Sequence, residues 1–178
     1  MIRSHTAAIA ALIAAGVIAC GPSDRRSESA AFVPLGVGSL VPGYAVQSLA
    51  GDTVTVGGAG APTVLNVWAT WCESCREEME ALDSLRTEFG ARGARVIGVS
   101  VDLGATEKVR RFAKSNHLGF TVAHDPAGEI QKSYQVVGVP TTFVISADGR
   151  LLWKHTGNIA DNFAEARSAV LKAVSTEN

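Results

Sequence analysis

Lysine and arginine never gather into a block in this chain of 178 residues; 16 of them stand against 17 aspartates and glutamates, for a formal net charge of −1. The basic footprint of a nucleic-acid partner is therefore missing. Nor is there a loop to cradle phosphate. Gly57-Gly58-Ala59-Gly60 lacks the Lys-Ser/Thr of a P-loop and the strand-to-helix setting of a dinucleotide site, and reads as a flexible turn. His117, His124 and His155 have no ligand spacing with one another or with the cysteines, so they read as surface or loop residues and suggest no metal site. Asp125 and Asp148 read as turn and cap residues. The apolar run near the N-terminus, Thr6 to Ala19, is short: as a helix it reaches about 21 Å, against a hydrocarbon core of about 30 Å. Cysteines number only three.

What is present suits a globular core with a hydrophobic leader: 47% apolar and 19% charged residues, at a length that favours one domain with a little left over. The chain is organised around Leu65–Leu82, LNVWATWCESCREEMEAL. An apolar strand run delivers Cys72 and Cys75 to the start of a helix-period pattern. A C-x-x-C at such a junction reads as a dithiol/disulfide redox centre. Two intervening residues, wound into the first helical turn, bring both sulfurs within disulfide reach. Cys72 then sits at the positive helix end with access to solvent, as the attacking thiol; Cys75 lies further inside, as the resolving one. The other meanings of the motif are half a zinc site or a structural bridge, and three cysteines weigh against the first.

The surrounding pattern alternates strands and helices. Strands are expected at 45–49, 53–56, 64–69, 95–101, 119–123, 142–146 and 151–155, with 45–56 and 142–155 forming hairpins. Helices are expected at 73–89, 106–116, 127–134 and 160–174. That order argues an α/β fold with a mixed sheet.

Four stretches, N-V-W-A-T-W-C-E-S-C-R-E-E-M, V-I-G-V-S-V-D, G-V-P-T-T-F-V-I and the D-G-R turn, together resemble the thioredoxin superfamily in its TlpA- and ResA-like branch of membrane-tethered bacterial thiol-disulfide oxidoreductases. The resemblance spans Asn66 to Gly157. It implies a thioredoxin fold: a mixed central sheet flanked by helices, with an N-terminal β-hairpin and a central αβ insertion. It also implies a cis proline at Pro140, with Val139 and Pro140 touching an extended substrate segment; Trp71 is expected to cover the exposed sulfur and Trp68 to be core. Where ordinary thioredoxins have a buried aspartate, this chain has Asn66, which cannot titrate. The resembled branch instead carries a glutamate three residues after the second cysteine, here Glu78, as a proton relay. By helical angle Glu78 lies about 40° from the centre of the apolar face, which fits both a relay and a solvated rim carboxylate. The branch usually kinks its active-site helix with a proline where this chain has Glu80, so a straighter helix is expected.

At the N-terminus, Arg3 and the apolar run read as a secretory leader, residues 1–19. Val17-Ile18-Ala19-Cys20-Gly21 resembles the bacterial lipobox, which implies a lipid anchor on Cys20; the alternative is an ordinary signal peptide with Cys20 incidental. Residues 20–38 read as the anchor and a linker whose coil span is on the order of 23 Å, and residues 39–178 as the domain.

The function expected is a membrane-tethered thiol-disulfide oxidoreductase at the periplasmic or extracytoplasmic face, needing no cofactor. By resemblance it reduces disulfide-bearing protein substrates in the manner of cytochrome c maturation, and draws electrons from a membrane thiol-electron donor. Other readings fit less well. A peroxiredoxin sets its cysteine in Thr-x-x-Cys, and here Ala69 holds the threonine's place. A copper-handling thioredoxin-fold lipoprotein wants C-x-x-x-C and a distant histidine. A non-enzymatic lipoprotein with an incidental disulfide completes the alternatives.

Two terms of similar size act on Cys72. The helix terminus favours its thiolate by ~0.3–1 kcal/mol. A Glu73 carboxylate about 6 Å away opposes it by ~0.7 kcal/mol at water's dielectric and ~2.8 at an effective 20. A thiol titrating near the free-thiol value of about 8.5 is expected by absorbance at 240 nm; a transition below about 5 would contradict that balance.

Overall fold

The computed structural model describes residues 34–175. The leader, Cys20 and most of the expected linker lie outside these residues. Near the linker's expected end the chain already bonds to the domain: Leu35 N–H donates to Gln135 Oε1 at 3.0 Å and Gly38 N–H to Leu151 O at 2.7 Å.

The apolar run TVLNVW forms β3 (Thr63–Trp68), buried at every position. Such a strand must be covered on both faces and paired on both edges, and it lies at the centre of a five-stranded sheet. The sheet order is β5-β4-β3-β6-β7, with β4 Arg95–Ser100, β5 Thr121–His124, β6 Thr141–Ile145 and β7 Leu151–Thr156. β3, β4 and β5 run parallel, while β6 pairs antiparallel with β3 and β7 antiparallel with β6. In this register Asn66 is flanked by Gly98 on β4 and Thr142 on β6. The hairpin β1 (Tyr44–Gln47) and β2 (Thr53–Val56) stands apart as a two-stranded sheet, tied to β5 by the Ser48–Ala123 bridge.

Helix α1 (Glu73–Glu77) follows β3 through a short loop, and α2 (Met79–Phe89) continues from it. Met79, Leu82, Leu85 and Phe89 recur at helical spacing and are the buried face of α2, which packs on β4 and on the closing helix α5 (Phe163–Ser175). Helices α3 (Thr106–Ser115) and α4 (Glu129–Ser133) complete the fold. Gly98 is required by packing: a Cβ there would lie 3.0 Å from Trp68 Nε1 and 2.8 Å from the Phe120 ring. Trp68 is fully buried, with Phe112 of α3 at 5.1 Å between ring centroids.

Two expectations are corrected. The helix expected to run unbroken over 73–89 is interrupted at Glu78 (φ −87°, ψ −6°), although no proline stands nearby. Glu78 turns its carboxylate inward to interior donors, and that attachment accompanies the break. His124, read as a surface or loop residue, is a buried β5 residue; its Nε2 lies 2.8 Å from Asp102 O and its Nδ1 2.9 Å from Thr106 Oγ1. Since a carbonyl only accepts, Nε2 carries the proton and the Thr106 hydroxyl can donate to Nδ1.

Phe143 on β6 is fully buried and meets Tyr134 edge-on at 5.4 Å. Phe143→Ala is expected to cost about 3–5 kcal/mol, read by urea unfolding; a loss below about 1 kcal/mol would contradict a close-packed core at this point.

Candidate active site at the end of strand β3

Because β3 is buried throughout, side chains reach the surface only beyond its end, and the cysteines follow there. Cys72 is the N-cap of α1: its Sγ accepts from Cys75 N–H at 3.2 Å, and its own N–H donates to Ala69 O at 3.2 Å. Cys72 and Cys75 form a disulfide with Cα atoms 5.2 Å apart. Cys72 keeps 7% exposure and Cys75 none, so only the first sulfur can be met from outside.

The loop before β6 lies against that sulfur. Val139 O is 3.7 Å from Cys72 Sγ, and the Val139–Pro140 peptide bond is cis. The Thr141 hydroxyl donates to Gly138 O at 2.7 Å and Gly157 N–H to Pro140 O at 2.9 Å, which ties the loop to β6 and to the end of β7. Val139 is partly buried, Pro140 buried, and Trp71 stands 65% exposed directly before Cys72. Glu73 is exposed and has Arg76 at 3.6 Å, a pair that solvent screens.

Glu78 is fully buried, which excludes the rim carboxylate. Its Oε1 accepts from Asn66 Nδ2 at 2.7 Å and its Oε2 from Ile159 N–H at 2.9 Å. Asn66 Nδ2 also donates to Thr142 Oγ1 at 2.9 Å, and its Oδ1 has no partner among the described residues. Burial pushes the Glu78 carboxyl up to about 7, against the two hydrogen bonds that favour its anion. With Oε2 taken by a backbone donor, a proton belongs on Oε1. Asn66 then keeps a bond to it only by turning its amide over to present Oδ1.

Asp102 closes the V-I-G-V-S-V-D stretch, but no sequence feature gives it a role at the site, and that role emerges only in the structure. It is 1% exposed, just beyond β4. Its Oδ2 accepts from Thr70 N–H at 2.7 Å and Ser100 Oγ at 2.8 Å; its Oδ1 accepts from Thr70 Oγ1 at 2.5 Å and Lys108 Nζ at 2.9 Å. Burial raises its carboxyl, but these donors outweigh burial and hold it below the usual range. The one sequence signal was an aspartate directly after the apolar run VIGVSV.

Six of the seven residues singled out beforehand thus belong to one region at the end of β3, namely Trp71, Cys72, Cys75, Glu78, Val139 and Pro140. Cys20 lies outside the described residues. Among the described residues no group of histidine, cysteine, aspartate and glutamate could hold a metal ion, and no helix is long and apolar enough to cross a membrane.

A mixed five-stranded sheet flanked by helices, with a C-x-x-C disulfide where its central strand meets a helix, defines a thioredoxin-like thiol-disulfide oxidoreductase. The chain belongs to the AhpC/TSA family, whose model matches residues 37–154. Within that family it is of the ResA and DsbE type. It is 33% identical over 122 residues to the thiol-disulfide oxidoreductase ResA of Bacillus thuringiensis subsp. konkukian, covering 68% of this chain and 70% of the relative. It is 33% identical over 129 residues to the thiol:disulfide interchange protein DsbE of Yersinia pestis, covering 70% of this chain and 66% of the relative. Among solved structures, one assigned as thiol:disulfide interchange protein DsbE from Chlorobium tepidum superposes with a TM-score of 0.72 at 28% identity, over 79% of this chain and 99% of that one.

The Glu78 carboxyl, raised in the fold from 4.5 to about 7, makes stability depend on pH. The folded state holds this proton more tightly than the unfolded chain. Its contribution is complete below pH about 4.5 and is lost as pH rises to about 7, a change on the order of 3 kcal/mol. Urea unfolding at steps across this range should show that loss in the wild type and a flatter curve in Glu78→Gln. Parallel curves would remove the assignment.

Proposed function

We propose that this oxidoreductase is a membrane-tethered reductant of protein disulfides, working in the manner of cytochrome c maturation. The observation that carries the reading is the asymmetry of the disulfide: one cysteine keeps slight exposure beside the cis-proline loop, and the other is wholly buried. In the reduced protein, the Cys72 thiolate attacks one sulfur of a substrate disulfide and releases the other as a thiolate. Cys75, once deprotonated, attacks Cys72 Sγ and releases the second substrate thiolate. Two electrons pass to the substrate, and the Cys72–Cys75 disulfide remains.

The protein residues around the sulfurs take roles that fit their places. Glu78, buried one helical turn beyond Cys75 and poised near neutrality, accepts the Cys75 proton and returns it in the reverse direction. Trp71, Val139 and Pro140 form the contact surface for an extended substrate segment: Trp71 exposed, Val139 O facing the outer sulfur.

Residues 1–19 serve as the secretory leader, Cys20 as the lipid-bearing residue, and 20–38 as anchor and linker to the domain over 39–178. Several acyl chains on one cysteine hold a protein stably where a single chain is marginal. Extracytoplasmic compartments oxidise thiols, so a reductant there is reset by a membrane thiol-electron donor.

Insulin reduction with dithiothreitol tests the activity: the wild-type domain should accelerate it and Cys72→Ser should not. Cys75→Ser should instead stall as a mixed disulfide on Cys72, whose captured partner identifies the substrate. Glu78→Gln should remove the inflection near pH 7 from the exchange rate; an unchanged pH profile ends its role as relay. Equal rates for wild type and Cys72→Ser would end the proposal as a whole.

A further inference from the structure

Thr70, two residues before Cys72, is gripped from both sides. On one side the buried Asp102 carboxylate accepts its backbone N–H at 2.7 Å and its hydroxyl at 2.5 Å. On the other, its carbonyl accepts from Arg76 Nε at 3.2 Å and Nη2 at 2.9 Å. Arg76 directly follows Cys75, and its guanidinium lies 5.6 Å from the centre of the Phe112 ring on α3. The end of β4 and the first helical turn after the disulfide are therefore joined through one residue of the loop that presents Trp71 and Cys72. A carboxylate only accepts, and both oxygens here are occupied by two donors each, so Asp102 is held in one orientation.

We propose that Asp102 is a positioning residue for thiol-disulfide exchange: through Thr70 it keeps the Cys72 loop in its disulfide-ready shape when the two sulfurs are apart. The inference rests on the reading that the Cys72–Cys75 pair opens and closes. In the disulfide form a covalent bond already ties Cys72 to Cys75, and the grip on Thr70 adds little restraint. In the dithiol form that bond is gone and the grip is what restrains the loop. Weakening it gives the dithiol form conformational freedom that the disulfide form does not gain. The equilibrium then moves toward the dithiol, and ring closure by Cys75 slows because its target is less well placed.

The test is a redox equilibrium with dithiothreitol. The reagent's two thiols give two electrons and two protons to the protein disulfide, yielding the protein dithiol and the reagent's cyclic disulfide. Thr70→Val removes the hydroxyl bond while keeping the backbone N–H and the Asp102 charge. It is expected to shift the equilibrium constant roughly tenfold toward the dithiol, about 30 mV less negative. Thr70→Ser, which restores the hydroxyl, should stay within about twofold of wild type. Lys108→Met, which alters the charge around Asp102 but not its bonds to Thr70, should do the same. Asp102→Asn should move in the same direction as Thr70→Val; should it fail to fold, Thr70→Val alone decides.

Thr70→Val within twofold of wild type overturns the inference, as does Lys108→Met shifting as far as Thr70→Val, which would mark a charge effect instead. A wild-type disulfide that dithiothreitol cannot open in the folded protein removes the underlying reading and this inference together. A wild type that cycles beside an unshifted Thr70→Val removes the inference alone.

Discussion

Strand β3 is hydrogen-bonded along both edges and buried at all of its positions, and no side chain on it can reach a substrate. Chemistry has to begin where the strand ends. The chain leaves the sheet through Ala69, Thr70 and Trp71, and Cys72 caps the helix that follows, with its sulfur accepting from the Cys75 N–H. The second sulfur then falls one turn in, against the core. The difference between a slightly accessible and a wholly buried sulfur, on which directional exchange depends, thus follows from burying one strand completely and starting a helix directly after it.

Two buried carboxylates flank this junction, and they resolve the cost of burial in opposite ways. Asp102 has four donors, one of them a lysine ammonium, and it stays an anion. Glu78 has two neutral donors, Asn66 and the Ile159 amide; burial prevails and the carboxyl rises to about 7. A permanently charged group suits holding a loop still. A group that changes protonation near neutrality suits passing a proton. Deeper desolvation at Glu78 and more numerous, partly charged donors at Asp102 together separate the two behaviours.

Much of this was legible in the chain itself. The C-x-x-C between an apolar run and a helical pattern located the disulfide, and the alternation of strand and helix patterns anticipated the mixed sheet to within a residue or two at most boundaries. What stayed hidden depends on partners far along the chain. Glu78 is buried and breaks its helix because Asn66, twelve positions back, and Ile159, 81 positions on, supply its donors. No helical angle discloses that. His124 looked like a surface residue because its partners, the Asp102 carbonyl and the Thr106 hydroxyl, come from other segments. Asp102 ends the V-I-G-V-S-V-D stretch, yet its meaning arises only when the ends of β3 and β4 come together.

The central claim is that the two sulfurs part and rejoin while the domain remains folded. Alkylating the native domain after mild reduction, with circular dichroism recorded alongside, tests it directly. The account predicts two blocked thiols, at Cys72 and Cys75, with the folded spectrum retained, and full return of the disulfide when an unblocked sample is reoxidised. Blocking that occurs only once denaturant has abolished the folded spectrum would contradict it.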